Sequence, residues 1–141
     1  MSIERRTILK AMGVGAMAVA MGGFAAEGEE QKAVFELRTY HTVEGRLPAL
    51  LARFRDHTDG LFHKHGMTSV AYWTPTDEPL AGKTLIYILK FPSRGEAAKR
   101  WKAFQDDPEW VRVKSESEAS GPIVEKIDST FMEMTEFSPK V

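Results

Sequence analysis

The chain has no cysteine in its 141 residues. Disulfides, thiolate metal ligands and thiol nucleophiles are therefore excluded together, as is the lipid anchor whose signal needs a cysteine at its cleavage point. There is also no excess of positive charge: 19 Lys and Arg stand against 20 Asp and Glu, a formal charge of -1. No basic surface for nucleic acid is implied. The longest bland stretch, Ala11 to Ala26, is shorter than the ~20 apolar residues a membrane-spanning helix needs, and its glycines weaken a helix. No Gly-x-Ser-x-Gly, phosphate loop or Ser-His-Asp order stands out, which argues against hydrolase and nucleotide chemistry.

At the amino end, Glu4-Arg5-Arg6-Thr7-Ile8-Leu9-Lys10 precedes that glycine-rich stretch. The paired arginines and weakly hydrophobic core look like a twin-arginine export signal over residues 1–26. Cleavage is expected near Ala25 or Ala26, leaving residues 27–33 as a polar, flexible linker. Localisation is then periplasmic or secreted, with no stable membrane anchor after cleavage. Removing the signal moves the formal charge to about -3, and the roughly 115 residues that remain suffice for one domain but not two.

Periodicity divides the rest into strands and helices. Val34 to His41 alternates as a pleated strand, with Phe35, Leu37 and Thr39 on one face and Glu36, Arg38 and Tyr40 on the other. Leu47, Leu50, Leu51, Phe54, Thr58, Leu61, Phe62 and His65 recur at spacings of three and four, which predicts one helix ended by Gly66. Met67 to Trp73 resumes the extended pattern, and residues 76–83 are a turn-rich surface loop. Thr84 to Phe91 is apolar at nearly every position, as in a strand covered on both faces. Ser93-Arg94-Gly95-Glu96 is a capping-box pattern for a helix burying Ala97, Ala98, Trp101 and Phe104. Asp107-Pro108 restarts it with Trp110, Val111 and Val113 inside, and Ile123 to Met134 is the last strand. The order β-α-β-β-α-β over residues 34–139 predicts an α+β, ferredoxin-like split plait.

With helices on one side, the second face of such a sheet should be polar, yet Ile86 and Ile88 oppose Leu85, Tyr87 and Leu89. A second sheet from an identical chain is the simplest cover, making a dimeric α/β barrel; the C-terminal tail or the 76–83 loop is the competing cover. Phe35 to Tyr40, Gly45-Arg46-Leu47, Phe54 to Thr58, His65-Gly66-Met67, Tyr72 to Pro75, Trp101 with Phe104, and Asp107-Pro108-Glu109-Trp110 together resemble the NIPSNAP domain. That resemblance spans nearly all of the chain beyond the signal. It implies the dimeric α/β-barrel fold shared with antibiotic-biosynthesis monooxygenases and haem-handling relatives. It brings no agreed catalytic set, so catalytic residues stay unassigned.

Candidate ligand-binding residues are Arg38, Tyr40, His65, Tyr72 and Trp73. A cation among aromatic groups suits a small amphipathic ligand with an acidic or carbonyl head. In the competing reading Arg38 pairs with Glu36, Tyr40 is core, and Trp101, Phe104 and Trp110 are core rather than a recognition box. His63 and His65, two apart on a helix, point about 200° from each other and cannot chelate together, so no metal and no cofactor is expected. The functional expectation is a homodimeric binding or interaction module. The alternatives are a cofactor-independent monooxygenase or isomerase using the barrel cavity, and a haem handler.

Overall fold

The computed structural model describes residues 32–141; the expected export signal, its cleavage point and residues 27–31 of the linker lie outside them. The elements are β1 (Val34–Thr42), α1 (Leu47–Arg53), a π-helical turn (Phe54–Thr58), α2 (Asp59–Lys64), β2 (Thr68–Trp73), β3 (Thr84–Phe91), α3 (Arg94–Asp106), α4 (Pro108–Ser117) and β4 (Val124–Met132). All strand pairs are antiparallel and their order is β2-β3-β1-β4. This is the ferredoxin-like α+β plait.

Local chemistry explains the boundaries. Gly66 adopts φ 73°, the left-handed conformation that closes a helix, immediately after His65. The Ser93 side chain accepts from the Glu96 backbone N–H and Asp107 accepts from that of Glu109, so both predicted N-caps form. The reciprocal half of the capping box does not. Glu96 turns outward to Lys99 and Arg100, one turn along α3, where it meets full charges instead of one amide.

The stretch from Leu47 to His65, predicted as one regular helix, widens at Phe54–Thr58 into a π-helical turn. Thr58 Oγ1 donates to the Arg53 carbonyl at 3.3 Å, taking up an acceptor in the widened turn. Arg53, Phe54 and Thr58 are all buried as a result. Two positions expected inside are outside: Ala98 is exposed and Val111 is 54% exposed. Both lie on helices whose opposite face already meets the sheet through Ala97, Phe104 and Val113. The last strand is shorter than expected, ending at Met132.

Register sorts the two sheet faces. Glu36, Arg38 and Tyr40 stand opposite Leu89, Tyr87 and Leu85 on the face beneath the helices. There the core closes around Leu50, Phe62, Tyr87, Leu89 and Phe104, each 2% exposed or less. Leu37 and Thr39 stand opposite Ile88 and Ile86 on the other face, which Ala71 and Trp73 of β2 extend. The tail meets this face at one end, where Lys90 Nζ donates to the Val141 carbonyl and lies over the Phe35 ring. Leu37, Ile86 and Ile88 are half-buried, and Trp73 is 48% exposed.

Candidate ligand-binding cleft

A polar seam crosses the helix-facing side of the central strand. Glu36, with its side chain 3% exposed, accepts from Trp101 Nε1 at 2.6 Å, Ser129 Oγ at 2.6 Å and Arg38 Nη1 at 2.8 Å. Three donors satisfy the carboxylate, so its burial costs little and it is held in place. Arg38 then reaches Tyr40 Oη with Nη2 at 3.3 Å, and Tyr87 Oη lies 3.0 Å from the same oxygen. The guanidinium is stacked 4.2 Å from the Trp101 ring centroid. Burial alone opposes its charge, but Tyr40, Tyr87 and Glu36 more than offset this, and the net shift of its pKa is upward. Burial also pushes the Tyr87 phenol well up.

Above this seam lies a cleft of about 840 Å³ between the sheet and the helices. Arg38 and Tyr40 line it together with Phe54, Trp101, Phe104 and Trp110. The rings form one continuous wall: Tyr40 to Phe54 is 5.6 Å edge to face, Trp101 to Phe104 5.6 Å, and Phe104 to Trp110 4.8 Å. Trp101 and Trp110 are half-buried and contribute both to the core and to this wall. Arg53 enters the lining from the end of α1, where its guanidinium lies 5.2 Å over the Trp110 ring. A cleft of this size and lining can hold a small molecule with an apolar body and an oxygen-bearing head.

The five residues singled out from the sequence divide. Arg38 and Tyr40 come together in the cleft. Tyr72 shares their sheet face, but its hydroxyl donates to Asp59 Oδ1 at 2.6 Å beside Ser69, and burial followed by that carboxylate pushes its pKa up. His65 Nε2 lies 2.7 Å from Asp107 Oδ2, away from the cleft lining. Trp73 sits on the opposite face of the sheet. Arg53 carried no sequence signal: its partners Ser117 and Glu118 are more than sixty residues away. Glu36 was legible as Arg38's neighbour, but not as an acceptor for Trp101 and Ser129.

Two of the other three histidines are each paired with a carboxylate: His41 with Asp128 at 3.0 Å, and His63 with Asp59 at 3.8 Å. Among the described residues no group of three or more His, Asp or Glu is placed to hold a metal ion.

An antiparallel plait with a cleft under its helices defines an α+β, ferredoxin-like subunit. The NIPSNAP family profile matches residues 35–139, and the chain belongs to that family. No curated protein matches the sequence. Among solved structures, a NIPSNAP family protein from Agrobacterium tumefaciens is similar with a TM-score of 0.66 and 23% identity, over 77% of this chain and 94% of that one. A NIPSNAP-like domain protein from Burkholderia xenovorans is similar with a TM-score of 0.69 and 14% identity, over 79% and 92%. A Streptomyces coelicolor monooxygenase in complex with nanaomycin D is similar with a TM-score of 0.54 and 13% identity, over 79% and 95%. These likenesses show the fold.

Proposed function

We propose that this NIPSNAP-family protein binds a small amphipathic molecule in the cleft between sheet and helices, and that it does so as an exported homodimer. The observation that carries the reading is the cleft itself, about 840 Å³ with aromatic walls and Arg38 and Tyr40 at its floor. Its lining sets a few polar groups among several aromatic faces, the mixture that small-molecule sites use to orient an apolar ligand. The lining contains no histidine, so a haem would find no imidazole there as an axial ligand.

Ile127 is 43% exposed on the cleft's strand side. Ile127→Trp should narrow the cleft with little effect on melting temperature while weakening fluorescence titration by 8-anilinonaphthalene-1-sulfonate several-fold, as expected when a bulky ring takes part of the volume a ligand needs. Unchanged titration would place the dye elsewhere and remove the cleft's claim. Export is tested separately: replacing Arg5 and Arg6 together by Lys should leave precursor in the cytoplasm, and mass spectrometry should find the exported N-terminus near Ala26 or Glu27. Undiminished export of that variant would exclude the twin-arginine route.

A further inference from the structure

The donors around the cleft are not equally free. Arg38 spends Nη1 on Glu36 and Nη2 on Tyr40, and its Nε is sealed in the interior. Its charge already has a buried counter-ion. Arg53 is different. Its side chain is 3% exposed and it lines the cleft, yet only Nη1 makes hydrogen bonds, to Ser117 Oγ at 3.2 Å and Glu118 Oε2 at 3.3 Å. Nε is sealed without a partner, and Nη2 has no hydrogen-bond acceptor among the described residues. A guanidinium carries five donors; the sealed Nε has nothing to give to, whereas Nη2 is not sealed and keeps its hydrogens for solvent or a ligand. The nearest charge is Glu118, held by a single long contact at the cleft edge with its side chain 28% exposed.

Tyr40 leads to a second requirement by counting protons. Tyr87 is fully buried and its hydroxyl meets Tyr40 Oη, so it must donate there or leave its hydrogen unpaired in the interior. Arg38 can only donate. Both lone pairs of Tyr40 Oη are therefore filled, and what the hydroxyl has left is its own hydrogen. It can take only an acceptor.

We infer that the ligand is held at two points: an anionic group, carboxylate or sulfonate, at Arg53 Nη2, and an acceptor oxygen, a ketone or enolate, at the Tyr40 hydroxyl, with its flat body across the aromatic wall between them. The inference rests on the cleft as the binding site and specifies the class of molecule it takes. Tyr40 packs on Phe54 and the Arg53 guanidinium lies over Trp110, and both rings line the same cleft. Glu118 bonds Nη1, so an acid at Nη2 shares the guanidinium with it and meets its like charge.

The test uses three matched probes in calorimetric titrations of the protein from Ala26 onward: 9-fluorenone-2-carboxylate with both groups, fluorene-2-carboxylate with the acid alone, and 9-fluorenone with the ketone alone. The first should bind most tightly. Arg53→Met should weaken both carboxylates at least about tenfold, the scale of one hydrogen bond to a charged group, and leave 9-fluorenone unchanged. Tyr40→Phe should remove the advantage of the keto acid over the plain acid, about three- to tenfold. Glu118→Gln, a change at the cleft edge that holds even if Arg53→Met folds poorly, should tighten both carboxylates several-fold. Equal binding of all three probes to the unchanged protein, or carboxylate affinity indifferent to both Arg53→Met and Glu118→Gln, overturns the two-point inference while leaving the cleft as a site. If no probe binds up to its solubility limit, or if Ile127→Trp leaves probe binding untouched, the cleft reading itself falls and takes the inference with it.

Discussion

Arg38 shows how much a buried neighbour changes the meaning of a side chain. Read along β1 it is a cation on the same face as Tyr40; in the folded chain it is first the counter-ion of Glu36, as the competing reading of the sequence expected. Arg38→Ala should accordingly destabilise the protein by about 3 kcal/mol, near the lower end for breaking a buried pair, because Trp101 and Ser129 still hold Glu36. Chemical denaturation measures this directly. The same variant, titrated with the acid-only fluorene probe, should lose far less affinity than Arg53→Met. If Arg38→Ala is as stable as its parent, the ion pair contributes nothing and Arg38 is free for recognition. The part of the site that was legible in the sequence is what alternation along one strand can show, namely that Glu36, Arg38 and Tyr40 share a face. Arg53 was not legible, since it lies beside the apolar stripe of a helix and its burial depends on a widened turn and on α4.

At the level of elements, the junction between α3 and α4 is tied to the end of α2 through Asp107. This carboxylate caps α4 at the Glu109 amide, meets Lys64 Nζ at 2.8 Å and His65 Nε2 at 2.7 Å. Lys64, then His65, then the cap amide hold its pKa well below the usual carboxylate range. A depressed folded value means that Asp107 contributes its stability fully above the ordinary value of about 3.9 and loses it as pH falls from there towards the folded value. Asp107→Asn should therefore melt lower than the parent at pH 7, and the gap should shrink below about pH 4; a gap independent of pH would mean that only the neutral cap matters. Element order, caps and Gly66 were all readable because each rests on residues within a turn of one another. The π-helical turn was not, because hydrophobic spacings of three and four fit a regular helix equally well. Ala98 and Val111 were misplaced for a related reason: an apolar side chain at the edge of a stripe does not reveal how wide the covering sheet is.

For the whole molecule, the proposed dimer rests on the second face of the sheet, where Leu37, Ile86 and Ile88 are half-buried beside the exposed Trp73. Covering such side chains fully is worth about 1.5–3 kcal/mol each, and the tail's hydrogen bond to this face is at the Phe35 end. Ile86→Glu should turn a dimer into a folded monomer in sedimentation at micromolar concentration. A parent protein that sediments as a monomer would refute the pairing outright. Apolar character on both faces also leaves β1 with an ambiguity. In a sheet wet on one side, hydrophobic pattern alone decides which residues go under the helices. Here a slip of one residue would place Phe35, Leu37 and Thr39 there at little hydrophobic loss. It would also strand the Trp101 indole, Ser129 and Tyr87 without Glu36 and Tyr40 to receive their hydrogens. The polar seam thus works as a key cut into an otherwise greasy lock, admitting one alignment of the central strand and rejecting its neighbour.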